Sequence, residues 1–524
     1  MFRGTSWVGL GKNAASSGYN FYFDFLEAAV PSDVPDAAVS YPNLTAATDH
    51  DTDATYKLSP ERLLWALDRA GLHGRLNHYL GVFWWAQRRR VGGSFPSLTL
   101  TFGGTWADGD SVFLTIGGTV MGKSVFPADT ASTIAAHFCY FINSMLVGVW
   151  AEVAGAVLTI HCFTPEWAFT FAREYLSAAG TISESGSLEG GSRGTWEIDA
   201  GATPVLNRAA RDWHRDFFAA VAERGWEAVA SLSMEMVNPP DDPASGSVWA
   251  ARFLDGAKVE TSTGFASLLS THCAFSDVVA AYQAAAYAEI AGLMVAAGLT
   301  PWLQFGEFCW WYFSDFDAAT NPGGGMAFYD AYTASAVVSA LGRALVPFRG
   351  AEDDPAVNSY ADATFLRGLV KAHIDSIRAY VLATCAGARF ELLWPYDVNY
   401  PERTSSGLGG RLLRYVNLPA EYEAKAGSGL DALKMEALAF GSVERHLDRA
   451  REAMRFPYTG GRSWPRGDVR YLMPWFNGGC PWEQEYLMSA LREGLGTTLW
   501  AWDHLCLLSW PLPMPAEGRR VLSA

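Results

Sequence analysis

The chain has 524 residues, half of them hydrophobic and 14% aromatic with 21 Trp, and it carries a formal charge of −16. That length exceeds what one compact core usually fills, so either a large barrel with an insertion or two to three domains is expected. The acidic balance argues against a phosphate-binding surface: Arg88-Arg89-Arg90 is the only basic run and reads as a solvated strand edge, so neither nucleic acid nor an anionic membrane is an expected partner.

In chain order, Met1-Phe2-Arg3-Gly4-Thr5-Ser6-Trp7 lacks the apolar stretch of a Sec signal, and the seven cysteines are scattered without a CxxC pair. Neither Sec export nor a disulfide or zinc framework is expected. Asp49-His50-Asp51-Thr52-Asp53 has oxygen ligands at calcium-loop spacing but lacks the glycine and closing glutamate of an EF-hand loop. Residues 75–85 read as an early strand. Between 94 and 199 the pattern changes to period two with glycine turns, as in Leu98-Thr99-Leu100-Thr101-Phe102-Gly103-Gly104. One helix interrupts it at 131–145, with Asp129 as the expected N-cap. The Ser/Gly/Glu-rich stretch 183–192 reads as a linker near a boundary.

Beyond 200 a long helix repeatedly precedes a short apolar strand. The pairs are 207–224 with 228–237, 277–297 with 301–312, 363–386 with 389–398, 430–455 with 469–476, and 482–493 with 497–508. The helix at 277–297 is expected to be amphipathic rather than membrane-spanning. With 269–275 and a doubtful 343–348, seven or eight strands emerge, the number a TIM (β/α)8 barrel needs. The expected organisation is an α/β barrel begun in 1–93, interrupted by an inserted α+β module over 94–199, and completed in 200–524.

Acids sit at the strand ends: Glu235, Glu307, Glu391 with Asp397, and Asp503. In a parallel barrel these ends converge on one face. Glycoside hydrolysis needs one protonated and one ionised carboxyl group. Apolar neighbours would raise Glu307 toward the acid role, with Glu235 as its partner and Glu391 or Asp397 as competitors. Trp84, Trp85, Trp310, Trp311, Trp394, Tyr396, Asn399, Trp475 and Trp500 are candidate sugar-binding residues at or near the same ends. His78, His272 and His504 read as core groups, and Gly323-Gly324-Gly325 lacks P-loop or Rossmann spacing, so no metal and no cofactor is expected.

Ser231-Leu232-Ser233-Met234-Glu235, Leu303-Gln304-Phe305-Gly306-Glu307 with Trp310-Trp311, and Leu393-Trp394-Pro395-Tyr396-Asp397-Val398-Asn399 are similar to segments of a family of TIM-barrel, glycoside-hydrolase-like proteins encoded by bacteriophages, prophages and gene transfer agents. Residues 110–163 resemble small modules of phage tail and baseplate proteins. Many retaining barrel hydrolases carry Asn-Glu on the fourth strand, whereas Met234 precedes Glu235 here. The resemblance implies a tail or tail-tip protein of the virion, made in the host cytoplasm without a Sec signal, that contacts other tail or baseplate proteins and binds host-surface glycan, with hydrolysis as the candidate activity. The rival expectations are a catalytically inactive structural or receptor-binding tail protein and an intracellular bacterial glycosidase.

Overall fold

The computed structural model describes residues 43–50, 55–69, 71–82, 84–261, 270–310, 325–404, 408–442, 446–475 and 482–501. The chain divides into two compact units: Arg88–Glu197, and the remainder on either side of it.

The larger unit is a closed barrel of eight parallel strands, taken in sequence order around the ring. They are β1 (Leu44–Asp49), β2 (Arg75–Tyr79), β3 (Glu227–Leu232), β4 (Trp302–Gly306), β5 (Arg389–Pro395), β6 (Ala432–Glu436), β7 (Val469–Trp475) and β8 (Gly496–Ala501). Leu44 pairs with Thr497 to close the ring. With helices alternating along the chain, this is a TIM barrel of the α/β class. Gly306 at the end of β4 is required by packing: a Cβ there would meet Ser231 Oγ at 2.5 Å and the Leu232 carbonyl at 2.8 Å.

Two strands differ from the sequence expectation. Residues 343–348 form no strand, and Ser270–His272 joins a small antiparallel sheet with Glu235–Met236 and Glu260–Thr261 instead of the barrel. Their places are taken by β1 and β6. β6 was hidden inside the expected helix 430–455 because Ala432, Leu433, Lys434, Met435 and Glu436 are all good helix formers; pairing with β5 and β7 overrides that preference.

Helix α1 (Arg208–Glu223) opens on Asn207, whose Oδ1 accepts from Ala210 N at 2.9 Å, as the cap pattern predicts. Asn207→Ala is expected to lower barrel stability by about 1–2 kcal/mol, measured by chemical denaturation. Helix α2 (Asp277–Ala296) is long and apolar enough to cross a membrane by length and composition. Instead of the expected amphipathic pattern it is apolar on most sides. Val279, Tyr282, Tyr287, Ile290 and Met294 are buried, and the helix packs against α3 (Tyr360–Thr384) as well as β4.

The smaller unit has its own core, with Leu98, Phe102, Ile134, Phe138, Ile142, Leu158 and Ile160 buried together. A four-stranded sheet, ordered Gly180–Ser187, Ser97–Gly104, Val157–Cys162 and Val149–Ala154, packs against the helix Ala131–Met145. A three-stranded sheet orders Thr119–Ser124, Ser111–Ile116 and Phe171–Leu176. The first half of the stretch read as a linker belongs to the edge strand Gly180–Ser187, polar because all but two of its residues are exposed. The helix N-cap is Thr130, in a reciprocal capping box with Thr133. Asp129 stands one residue earlier, accepting from Lys123 Nζ at 2.7 Å and Phe126 N at 2.9 Å.

Candidate carboxylate site at the barrel mouth

The barrel interior is polar at mid-height. Asn77 of β2, Gln304 of β4, Glu391 of β5 and Lys434 of β6 are buried, and Arg470 of β7 reaches the same group. Gln304 Nε2 donates to both Asn77 and Glu391, and Lys434 Nζ donates to Asn77. Glu391 lies 3.6 Å from Lys434 Nζ and 3.5 Å from Arg470 Nε. Those cations hold its carboxyl below the ordinary range despite burial, while burial pulls Lys434 down to about 7. Glu391 was expected at a strand end. It is the third residue of β5 and level with Gln304, so it serves as a buried counter-charge and is not part of the mouth.

Above this layer lie Ala47, Leu393 and Leu472 with the rings of Tyr79 and Trp500. Tyr79 and Trp500 stack at 6.1 Å and 22°. Around them the strand ends deliver carboxylates. Asp49 ends β1, Glu436 ends β6, Glu307 directly follows β4, Asp397 follows β5, and Glu235 lies three residues past β3.

Glu307 is partly exposed at the mouth yet densely surrounded by protein. Burial, then the charges of Glu235, Asp397 and Asp49, push its carboxyl up to about 8. Its backbone is left-handed, φ +55°, a costly conformation for a residue with a Cβ and one that concentrates at functional sites. Glu235 Oε2 accepts from Thr261 Oγ1 at 2.9 Å and from Ser270 Oγ at 2.8 Å, so the small antiparallel sheet fixes this carboxylate. Asp397 is buried, with its two oxygens on Val398 N at 2.9 Å and Ala439 N at 2.7 Å, which positions the β5 and β6 loops. Glu436 went unrecognised because its strand was read as helix. Its carboxyl is raised well above the usual range by burial and then by Glu307 and Asp397. Its Oε2 is buried without a hydrogen-bond partner among the described residues. Tyr79 was also missed, and its hydroxyl is likewise unpartnered among them. Five acids converge on one mouth, where Glu307 holds its proton at neutral pH beside further carboxyl groups, an arrangement suited to acid–base chemistry on a glycosidic bond.

The aromatic candidates divide. Trp84 is 38% exposed and lies 4.5 Å from the ring of Tyr56, and Trp500 is partly exposed at the mouth. Trp85, Trp310 and Trp394 are buried and cannot offer a face to a sugar. Trp85 stacks on Tyr282, Trp310 lies against Phe275 and Phe328, and Trp394 stacks on Phe456. Asn399 is buried on Asn417, which also holds the Trp310 backbone and the Trp394 indole, so this trio is scaffold. Tyr396 is buried beneath Arg414. Trp311, Asp503, His504 and the side chain of Trp475 lie outside the described residues.

Residues 188–383 match the family described as non-contractile tail sheath protein TIM barrel. No curated protein sequence matches the chain. Among solved structures, the catalytic domain of β-amylase from Paenibacillus polymyxa is 14% identical with a TM-score of 0.35, over 55% of this chain and 79% of that one. The PgaB (BpsB) glycoside hydrolase domain from Bordetella bronchiseptica is 11% identical with a TM-score of 0.33, over 60% and 77%. D-allulose 3-epimerase from Methylomonas sp. is 12% identical with a TM-score of 0.23, over 55% and 68%.

Proposed function

We propose that this is a phage-type tail or tail-tip protein whose barrel binds host-surface glycan and hydrolyses it with a carboxylate pair. The carrying observation is the mouth itself: Glu307, pushed up to about 8 and therefore protonated at neutral pH, stands within the electrostatic reach of Glu235, a carboxylate fixed by two hydroxyl donors. Glu307 donates its proton to the leaving oxygen, and Glu235 attacks the sugar or activates water. Trp500 and Tyr79, and separately the exposed Trp84, are the rings available for stacking on sugar faces. The likeness of residues 188–383 to a tail-protein barrel supports the tail assignment.

The same likeness favours a second reading, because the matching family is described by a sheath role, which needs only a rigid barrel and partner contacts. Incubating the protein with purified host envelope glycan separates the two: release of new reducing ends is the expected result, and binding or no interaction without release returns the barrel to a structural role. Detection of the chain in purified particles is expected under either tail reading. Its absence there, with glycan cleavage retained, would favour an intracellular glycosidase.

A further inference from the structure

Behind the β1 and β2 wall, facing the helix layer, three histidines meet: His50 just past β1, His78 in β2 and His214 in α1. We propose that His50, His78 and His214 form a binding site for one zinc-class divalent metal ion, which ties the end of β1 and strand β2 to α1. All three are buried, and one ring nitrogen from each lies within 4.8 Å of the others.

Two of the rings are already oriented as metal ligands usually are, with the far nitrogen held by protein. His214 Nδ1 lies 2.6 Å from the Ala210 carbonyl, which can only accept, so Nδ1 carries the hydrogen and Nε2 presents a lone pair. His78 Nδ1 lies 2.9 Å from Thr48 Oγ1. The two Nε2 atoms face each other at 3.0 Å. Tetrahedral zinc, with Zn–N bonds of about 2.0–2.1 Å, sets two ligand nitrogens about 3.3 Å apart, so a small outward shift admits the ion. On binding, the hydrogen between the facing Nε2 atoms moves to His78 Nδ1, where it is donated to Thr48 Oγ1, so His78 remains a neutral imidazole with its Nε2 lone pair on the metal.

His50 supplies the independent observation. It is 3% exposed and its Nδ1 is buried with no hydrogen-bond partner among the described residues, a cost that a hydrogen-bonded histidine pair leaves standing and a third metal bond removes. Trp213 packs 4.6 Å from His50 and stacks at 5.3 Å on His78, while Phe217 lies 4.7 Å from His78. The donor set selects the ion: calcium and magnesium require oxygen ligands, whereas neutral imidazoles suit zinc and its neighbours.

The test is equilibrium dialysis of the full chain against Zn2+, Co2+ and Mg2+, with bound metal counted by mass spectrometry. About one equivalent of Zn2+ or Co2+ per chain is expected, with tetrahedral Co2+ absorption bands and no Mg2+ uptake. His214→Ala should bring bound metal below a tenth of an equivalent. Because that change opens the core, His50→Gln is the second variant, expected to weaken zinc binding at least tenfold with an unchanged circular dichroism spectrum. Thr48→Val should weaken it roughly 10–100-fold. A natively folded chain that takes up less than a tenth of an equivalent, or full uptake in both histidine variants, would overturn the site and leave a hydrogen-bonded histidine cluster.

Discussion

Glu307→Gln is expected to lower glycan cleavage by roughly 10²–10⁴-fold, the contribution of a positioned proton donor, while glycan binding persists. Gln keeps the shape of the acid and cannot give up a proton to a leaving oxygen. The pH behaviour supplies a second readout. Cleavage by the unsubstituted protein should fall as pH rises through about 8, where Glu307 ionises. Since the charge of Glu235 contributes to that elevation, Glu235→Gln should shift the alkaline limb to lower pH in whatever activity remains. Stability follows the same linkage. The folded pKa lies above the ordinary 4.5, so over that interval the folded chain holds a proton that the unfolded chain has released. The contribution of this group is most favourable below the ordinary value and is lost as pH rises toward about 8. Denaturation midpoints from pH 5 to 9 should therefore decline less steeply in Glu307→Gln than in the unsubstituted chain. Parallel slopes, or full cleavage in the variant, would remove Glu307 from the acid role.

The parallel barrel was legible because most of its strands are short apolar runs after long helices, and period 3.6 yielding to an apolar run needs no tertiary information. Glu307 was legible for the same reason, standing where a strand stops among aromatic residues. Glu436 was not, because Leu433-Lys434-Met435-Glu436 has the composition of a helix and only its neighbours in the ring make it a strand. β1 was obscured in another way: Leu44-Thr45-Ala46-Ala47-Thr48-Asp49 has little of the bulk that marks a buried strand, since Ala47 packs with the large Tyr79 and Trp500 of the two neighbouring strands. The tryptophans mark the limit of composition as a guide. Trp394 is adjacent in sequence to the interior-facing Leu393, but alternation along β5 turns it outward, its indole on the Asn417 carbonyl, and Trp310, three residues past Glu307, is buried with its backbone on the Asn417 side chain and its indole on the Leu366 carbonyl. The histidine cluster required three segments separated by up to 164 residues, His50 to His214, to be brought together, which no local pattern reveals.

Glu391→Gln is expected to be among the most damaging single substitutions in the barrel, at about 3–5 kcal/mol, because it leaves Lys434 and Arg470 buried without their shared counter-charge. The comparison that gives this prediction its content is with Lys434→Met. That change leaves Glu391 still facing Arg470, so a smaller loss is expected, and the double variant should cost less than the sum of the two single changes, since the residues share one network. Urea denaturation followed by circular dichroism measures all three. Additive losses, or a Glu391→Gln variant within about 0.5 kcal/mol of the unsubstituted protein, would mean that the ion group does not support the barrel. Glu391 would then be a free carboxylate beneath the mouth and would have to be restored as a competitor for the catalytic pair. Under the expected outcome, the polar layer instead acts as a rigid floor that keeps positive charge below and negative charge above, so that the acids at the strand ends raise one another without neutralisation by Lys434 or Arg470. Lys434 opposes the elevation of Glu436 less than burial, Glu307 and Asp397 promote it, and the elevation of Glu307 comes from burial and the neighbouring acids.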